Sequence, residues 1–253
     1  MRVFITGASS GLGQALARHY AALGAELGLV ARRETELAAL AAEVPGTAAV
    51  YPLDVRDTDK LQDAAHDFIH RFGVPDIVIA SAGVSCGTLT EHAEDLKVFQ
   101  AVMDINLMGT VNTFQPFVAA MRERGHGALV GIASVAGARG LPGGGAYSAS
   151  KAATITYLES LRVELHDSGV DAITICPGYI ETPLTAINPY RMPFILSAEK
   201  AARIIARAIK ARRRLVVLPW QMAIVFRLLK MLPDWAYDKL FANAPRKPRN
   251  LTL

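Results

Sequence analysis

The sequence predicts an α/β protein with an open, doubly wound parallel sheet and helices on both faces. Short apolar runs alternate with longer segments of helical periodicity from the N-terminus to about residue 218. The apolar runs do not alternate strictly with polar residues, which is typical of strands that are buried on both faces of a parallel sheet. Crossovers in such a sheet are right-handed, and ligands bind at the carboxyl ends of its strands.

The expected elements follow this alternation along the chain. Strands are expected at residues 2–6, 26–31, 48–53, 76–80, 127–133, 171–176 and 215–218. Helices are expected at residues 11–23, 34–43, 58–72, 95–124, 146–168 and 198–211. No repeat, low-complexity linker or charge break divides the sequence, so residues 1–253 are interpreted as a single domain.

Composition favours a protein with a sizeable core in a reducing compartment. Hydrophobic residues make up 51% of the chain and charged residues 20%. The two cysteines, Cys86 and Cys176, argue against a disulfide framework. The chain passes from Met1 directly into a predicted strand, which leaves no room for a signal peptide. We therefore expect a cytoplasmic protein.

The net charge of +4 is modest and its excess lies late in the chain, in the basic clusters 210–214 and 246–249. Such clusters can meet anionic lipid, but most are solvated faces and tails, so no nucleic-acid partner is expected. His66 and His70 share one helix face beside two aspartates. A solvated polar face explains them, and no metal site is predicted.

The first predicted strand turns into the first predicted helix through Gly7, Gly11 and Gly13. Glycines let the backbone approach a pyrophosphate, and the helix N-terminus offers unpaired N–H groups. The spacing G-x-x-x-G-x-G differs from the common G-x-G-x-x-G. We predict a nucleotide site here rather than a tight turn without a ligand. The other cofactor-binding candidates in the turn are Ser9, Ser10 and Leu12.

Arginines at the end of the second strand indicate which nucleotide binds. An acidic residue there would hold the ribose hydroxyls of NAD, whereas an arginine accommodates the 2′-phosphate of NADP. Arg32 and Arg33 occupy this position, and no acid precedes Glu34. NADP(H) is therefore predicted in preference to NAD(H); the alternative is an exposed pair of loop arginines without a ligand.

Two further strand ends carry candidate cofactor contacts. Asp54 and Val55 follow the third strand, where a carboxylate and a backbone N–H could contact an adenine ring. A helix-capping role for Asp54 is an equally good interpretation. Ser81, Ala82 and Gly83 close the fourth strand with small residues, as expected where the backbone passes close to a cofactor.

The candidate catalytic residues are Tyr147, Lys151, Ser134 and Asn106. Tyr147 and Lys151 lie four apart on a predicted helix and so share one face. A phenol with a pKa near ~10 is a poor base at neutral pH, but a nearby ammonium lowers that pKa. Ser134 ends the fifth strand, where ligands gather. Asn106 lies in an otherwise apolar helix and must satisfy its amide, either at a helix kink or with a buried water.

The ordered set of motifs resembles the short-chain dehydrogenase/reductase family in its single-domain branch, over about residues 1–218. The motifs are Thr6-Gly7-x-x-x-Gly11-x-Gly13, Asp54, Asn106-x-x-Gly109, Ser134, Tyr147-x-x-x-Lys151 and Pro177-Gly178-x-x-x-Thr182. The resemblance implies a Rossmann-type fold and a nicotinamide-dependent oxidoreductase. It also implies a homodimer or homotetramer built from the helices that carry Asn106 and Tyr147.

The resemblance also implies a role for each residue. Tyr147 would be the general acid in carbonyl reduction and the base in alcohol oxidation. Lys151 would lower the phenol pKa and bind the nicotinamide ribose. Ser134 would polarise the substrate oxygen, and Asn106 would hold a water that links Lys151 to solvent. Ser81 replaces the family's usual asparagine, which predicts weaker cross-strand bracing and unchanged hydride chemistry. The nicotinamide side would be lined by Pro177, Gly178, Ile180 and Thr182.

The substrate is sought in two segments, a loop at about residues 183–197 and an apolar C-terminal extension at about residues 215–253. Three interpretations of the extension remain open: a substrate lid, packing against the domain or a second subunit, and a helix on a membrane surface. Packing is favoured among them.

Three functions are considered. The first is NADP(H)-dependent hydride transfer to or from the carbonyl or secondary alcohol of a lipophilic substrate. A 3-oxoacyl-thioester reductase would need a basic patch, for instance from Arg139 or Arg191, at the pocket mouth. An idle NADP(H)-binding sensor would have no chemical need for Ser134, Tyr147 and Lys151 together.

Overall fold

The computed structural model describes residues 1–249 and is built around a seven-stranded parallel sheet. The strands are β1 Arg2–Thr6, β2 Glu26–Ala31, β3 Ala48–Pro52, β4 Ile77–Ala80, β5 Gly127–Ile132, β6 Val170–Pro177, β7 Ile180–Glu181, β8 Leu196–Ser197 and β9 Leu215–Leu218. Their order in the sheet is β3-β2-β1-β4-β5-β6-β9, and β7 pairs separately with β8. The order reverses between β1 and β4, where doubly wound sheets bind their ligands. The predicted doubly wound α/β fold is confirmed.

Helices cover both faces of this sheet. They are α1 Gly11–Ala21, α2 Glu34–Glu43, α3 Thr58–Phe72, α4 Asp95–Met103, α5 Gly109–Arg124, α6 Gly145–Glu164, α7 Pro183–Ala186, α8 Ala198–Lys210, α9 Trp220–Met231 and α10 Asp234–Phe241.

Alternate residues of β1 supply the two halves of the core, because successive side chains of a strand point to opposite faces. Ile5 lies in a cluster with Leu16 of α1 and Ile205 of α8. Phe4 packs on the other face, where its ring centroid lies 4.8 Å from that of Phe117 of α5. All five of these apolar residues are fully buried. Burial on both faces explains why the strands read as continuous apolar runs.

The predicted continuous helix at 95–124 is wrong. The chain instead winds as α4, a five-residue π-helical segment at Asp104–Met108, and α5. A π turn holds one extra residue, and such turns occur frequently at functional sites. The Thr113 hydroxyl donates to the carbonyl of Gly109 (2.6 Å), and the Thr110 hydroxyl donates to that of Asn106 (2.8 Å). These two hydroxyl groups thus satisfy backbone carbonyls at the distorted turn. The apolar periodicity of the sequence gives no sign of this distortion.

The C-terminal extension folds back over the carboxyl ends of the strands. Helix α9 buries Met222 and Phe226 against a cluster that includes Val135 and Cys176. Its opposite face leaves Trp220 exposed together with other large apolar residues. Within residues 1–249, no helix combines the length and the apolar character that a bilayer crossing requires.

The expectation that residues 246–249 form a solvated tail is wrong for Lys247 and Arg249, whereas Arg246 and Pro248 are exposed. Gly87 donates its backbone N–H to the carbonyl of Pro248 (2.9 Å), and Arg249 forms a salt bridge with Asp95 (2.8 Å). Lys247 is half-buried between these contacts. The charged side chains are held because carboxylate and hydroxyl partners, distant in sequence, meet the tail on the folded surface.

Candidate active site

A cavity of about 860 Å³ runs along the carboxyl ends of the central strands. Its size lies toward the upper end of the roughly 300–1,000 Å³ range of ligand pockets. Every residue that the sequence predicts for cofactor binding lines it, and so do Ser134, Tyr147 and Lys151. Asn106 does not line the cavity and lies behind it. The carboxyl ends of parallel strands thus bring together side chains that are far apart in sequence.

The glycine turn between β1 and α1 forms one end of the cavity. Gly7 has a φ of +71°, and a Cβ there would meet the Cα of Ala82 at 2.7 Å. A Cβ at Gly13 would collide with the Gly7 carbonyl oxygen. Ser10 precedes α1 and makes no side-chain cap bond with the first helical N–H groups. This close, uncapped helix N-terminus fits the pyrophosphate of a dinucleotide.

The two predicted arginines lie at the same end. Arg33 donates from Nη2 to the Ser9 hydroxyl (2.9 Å), and its Nη1 lies 3.2 Å from a carboxylate oxygen of Glu36. Arg32 Nη1 lies 3.9 Å from Asp54. Both guanidinium groups are half exposed, so they remain accessible to an anionic group.

Asp54 is held by Arg56, an interaction that sequence reasoning missed. Arg56 Nη2 lies 2.7 Å from Asp54 Oδ2, and this hydrogen bond lowers the pKa of the carboxyl group. The alternative interpretation of Asp54 as a helix cap is wrong, because Asp57 caps α3 by accepting from the N–H of Lys60 (3.2 Å). Val55 is buried beside it and its carbonyl accepts from Asn112 (3.0 Å).

Asn106 braces the loop after β4 against α6. Its Nδ2 donates to the Val84 carbonyl (3.0 Å) and to the Ser150 hydroxyl (2.9 Å), while its Oδ1 accepts from the Val84 N–H (2.8 Å). Ser150 was not singled out from the sequence, because its partner is 44 residues away. The same loop passes close by, since a Cβ on Gly83 would lie 3.2 Å from Asn106 Oδ1 and 3.6 Å from Lys151 Nζ. Of the two interpretations of Asn106, the observed bonds are those of a structural brace at a distorted helix.

Tyr147, Lys151 and Ser134 meet in the middle of the cavity. Lys151 Nζ donates to the carbonyl of Ile132 (2.7 Å) and lies 5.8 Å from the centroid of the Tyr147 ring. The Ser134 hydroxyl accepts from the N–H of Ala136 (3.1 Å) and donates to the carbonyl of Pro177 (3.5 Å), and it lines the same cavity as Tyr147. The end of β5 and one face of α6 therefore place a hydroxyl, a phenol and an ammonium at one point.

The expectation that Lys151 lowers the pKa of Tyr147 is not met. Burial raises the pKa of Tyr147, and the hydrogen bond with Ser134 opposes this only in part. Burial also lowers the pKa of Lys151, to about 8. Desolvation disfavours the charged form of each group and is the largest cause of both shifts. At neutral pH the phenol is protonated and can donate its proton to an oxygen in the cavity.

The substrate end of the cavity includes residues that sequence reasoning placed only within broad segments. The loop at 183–197 contributes Tyr190, and the extension contributes Met222, Leu229 and Phe241. Val225 and Leu229 both line the cavity and lie one turn apart on α9, a spacing that the sequence itself contains. Lys247 also lines the cavity, and nothing in its local sequence distinguishes it from a surface lysine.

Comparison with known proteins assigns the chain to a protein family. A model of the short chain dehydrogenase family matches residues 1–190. The chain belongs to this family. It is an oxidoreductase whose fold binds NAD(P).

Relatives and solved structures span most of the chain. An uncharacterized oxidoreductase of Myxococcus xanthus is 37% identical over 237 residues, covering 92% of this chain and 93% of the relative. A 2-dehydro-3-deoxy-L-rhamnonate dehydrogenase (NAD(+)) of Sphingomonas sp. is 39% identical over 180 residues, covering 71% of this chain and 72% of the relative. The structure of an alcohol dehydrogenase from Thermococcus sibiricus, complexed with 5-hydroxy-NADP, matches with a TM-score of 0.76 at 26% identity, covering 86% and 95% of the two chains.

The buried ammonium of Lys151 predicts a pH-dependent stability. Its pKa falls from 10.5 to about 8 on folding, so between these values the unfolded chain binds more protons than the native protein. Native stability therefore gains from this group as pH rises through this window. We expect the free energy of unfolding of the wild type, relative to Lys151→Met, to increase above about pH 8. Urea unfolding of both proteins across this range measures the difference.

Lys97→Met is the matched control, because Lys97 is exposed on α4 and loses little hydration on folding. It is expected to show no such trend relative to wild type. A stability difference for Lys151→Met that is constant across the window would contradict the effect of burial.

Proposed function

We propose that the protein is an NADP(H)-dependent oxidoreductase that reduces the carbonyl group of a lipophilic substrate, or oxidises the corresponding secondary alcohol, with Tyr147 as the general acid or base. One observation carries this proposal. The Ser134 hydroxyl, the Tyr147 phenol and the Lys151 ammonium meet in the same cavity that the glycine turn lines.

Each candidate catalytic side chain has a different role in carbonyl reduction. The bound nicotinamide cofactor supplies the hydride. Tyr147 donates its phenolic proton to the carbonyl oxygen, and Ser134 donates a hydrogen bond to the same oxygen as negative charge develops on it. Lys151 stabilises the phenolate that remains. Asn106 holds the loop and helix that frame the site, and a water bound near it would return the proton to the phenol through Lys151.

The preference for NADP(H) over NAD(H) is supported by the arginines after β2. Arg33 already donates to Ser9 of the glycine turn and so points toward the position of an adenosine ribose. A 2′-phosphate would find two half-exposed guanidinium groups, Arg32 and Arg33, at this position. Glu36, the carboxylate near Arg33, lies within α2 rather than at the strand end.

A lipophilic substrate is supported by the apolar side chains of α9 and α10 that line the cavity. The 3-oxoacyl-thioester alternative finds less support at Arg139. That guanidinium binds the Leu232 carbonyl (2.8 Å) and the Asp234 carboxylate (2.7 Å), and it stacks on the Tyr237 ring (4.4 Å). Arg139 therefore holds the extension in place instead of offering a free charge to a carrier.

Exposed apolar residues support a homodimer or homotetramer through the helices that carry Asn106 and Tyr147. Leu96 and Phe99 of α4, Met108 of the π-helical segment and Val163 of α6 all expose their side chains. Association would remove this surface from water.

The outer face of the extension supports contact with an anionic membrane surface. The large exposed side chains of α9 and α10 are Trp220, Ile224, Leu228, Met231, Trp235 and Leu240. No acidic residue lies between Glu199 and Asp234, whereas Arg and Lys recur throughout that segment. Exposed tryptophans with cationic neighbours are typical of helices that lie in a lipid interface. The opposite face of α9 lines the cavity, so a membrane-bound protein would receive lipophilic substrates directly.

Replacement of Tyr147 by Phe tests the catalytic assignment. We expect NADPH to bind nearly as well as to wild type, because the ring is retained, while turnover is lost because no proton donor remains. NADPH fluorescence on binding and NADPH consumption over a series of ketones of increasing chain length measure the two properties. Wild-type turnover by Tyr147→Phe on the preferred ketone would show that another group donates the proton.

Replacement of Arg33 by Ala tests the cofactor preference. Loss of one charge-assisted hydrogen bond to the 2′-phosphate is expected to raise KM for NADPH about tenfold or more. KM for NADH should stay unchanged, since NADH lacks that phosphate. Arg207→Ala, an exposed arginine of α8, is the control and should alter neither value. Equal effects of Arg33→Ala on both cofactors would contradict the assignment.

Vesicle sedimentation tests the membrane surface. We expect wild type to sediment with vesicles of phosphatidylglycerol and phosphatidylcholine, less at high salt, and the double variant Trp220→Ser/Trp235→Ser to stay in solution. Leu23→Ser, which changes an exposed apolar residue in the turn after α1, should sediment like wild type. A different outcome is that wild type does not sediment with vesicles and that the double variant has a lower molar mass than wild type in light scattering. This face would then bind a second copy of the chain.

A further inference from the structure

The described chain ends with residues 245–249, hereafter called the tail. Hydrogen bonds and salt bridges hold the tail against the loop that follows β4 and the start of α4. The carbonyl of Pro248 accepts from the N–H of Gly87 (2.9 Å). Arg249 forms salt bridges with Glu94 and Asp95, both at 2.8 Å, and Asp95 is itself buried. The backbone N–H of Gly87 and the carboxylates of Glu94 and Asp95 thus hold the tail in a defined position.

That path places the ammonium of Lys247 inside the cavity beside the candidate catalytic tyrosine. Lys247 Nζ donates to the hydroxyl of Ser85 (2.7 Å) and lies 5.6 Å from the centroid of the Tyr147 ring. Ser85 is almost fully buried, so this contact lies deep in the site. Within residues 1–249, no carboxylate lies within salt-bridge distance of Lys247. An ammonium has three donors, and only one of them is used.

The other cations of the cavity have partners or lie at its far end. Arg139 is paired with Asp234, and Lys151 donates to the Ile132 carbonyl. Arg32 and Arg33 lie at the nucleotide end. Apart from the candidate catalytic Lys151, whose partner is a neutral carbonyl, Lys247 is therefore the cation at the substrate end that lacks an anionic partner among the described residues. Burial lowers its pKa to about 8, so it still carries its charge at neutral pH.

We infer that Lys247 binds a carboxylate of the substrate, and that the substrate is an apolar oxo acid, or the matching hydroxy acid, with the carboxylate a few bonds from the reacting carbon. A partly buried ammonium with one neutral partner is costly, and a carboxylate in a charge-assisted hydrogen bond removes that cost. The inference rests on the proposed role of Tyr147, which locates the reacting carbonyl.

The position of Lys247 next to Tyr147 selects a carboxylate over a phosphate of a thioester carrier. The phosphate of a pantetheine arm lies many bonds from the thioester, whereas Lys247 Nζ lies only 5.6 Å from the ring centroid of Tyr147, the proposed proton donor. The walls of the cavity also include the apolar side chains of Met222, Leu229 and Phe241, which suit a hydrocarbon chain. Reduction leaves the carboxylate unchanged, as the carbonyl gains a hydride from the cofactor and a proton from Tyr147.

The inference is tested with 4-oxodecanoate and its methyl ester, which differ only in the charge. Wild type is expected to favour the acid in kcat/KM. Lys247→Met should lose about tenfold or more on the acid, as expected for one charge-assisted hydrogen bond, and should keep its activity on the ester. Lys247→Arg should retain most of the preference for the acid. Lys97→Met, which removes an exposed lysine of α4, should behave as wild type on both compounds.

Equal losses on acid and ester by Lys247→Met would overturn the inference, because the ammonium would then act on Tyr147 rather than on the substrate. A binding measurement separates this outcome from failure of the proposed function. Decanoate should raise the melting temperature of wild type and not of Lys247→Met, whereas decanol should act equally on both. Equal effects of decanoate on both proteins also overturn the inference. If neither oxo compound is reduced but decanoate discriminates between the proteins, carboxylate binding stands and the assigned reaction fails.

Discussion

The amide of Asn106 is the interaction on which the geometry of the site depends. Its three hydrogen bonds join the backbone of Val84, in the loop after β4, to Ser150 on α6. A buried amide must be satisfied, and each of its partners belongs to an element that carries other site residues. Gly83 precedes the loop contact, and Lys151 follows Ser150 on α6. If the amide were lost, the distance between the loop and α6 would no longer be set.

The loop that Asn106 holds also contacts residues at the substrate end of the cavity. Ser85, which follows the braced Val84, accepts from Lys247, and Gly87 donates to the tail at Pro248. One loop thus faces the cofactor region with Gly83 and the tail with Ser85 and Gly87. The C-terminal tail is consequently part of the site through the loop after β4, although it lies outside the central sheet.

Desolvation is the main cause of the pKa shifts of the ionisable groups in the cavity. It raises the pKa of Tyr147 and lowers those of Lys151 and Lys247. Each shift favours the neutral form, so the phenol keeps its proton and each ammonium gains from a partner that offsets its lost hydration. Lys151 has the Ile132 carbonyl as such a partner. Lys247 has only the Ser85 hydroxyl, which is why an anionic substrate group suits it.

Much of the fold and of the cofactor end of the site follows from local sequence. The apolar runs of β1 to β6 and the glycines around residue 11 act through short-range rules, namely strand burial on both faces and backbone approach at a helix N-terminus. The candidates Ser134, Tyr147 and Lys151 could be named because they lie at the end of one strand and on one turn of one helix. The π-helical distortion around Asn106 could not, because it depends on polar partners from elements distant in the chain.

The sequence by itself therefore determined the parallel α/β architecture, the glycine turn and the identity of the candidate proton donor, since each depends on neighbours within a few residues. Only the tertiary structure decided the direction of the Tyr147 pKa shift and the position of Lys247. These properties depend on desolvation and on contacts across 100 residues or more, and no local pattern records either.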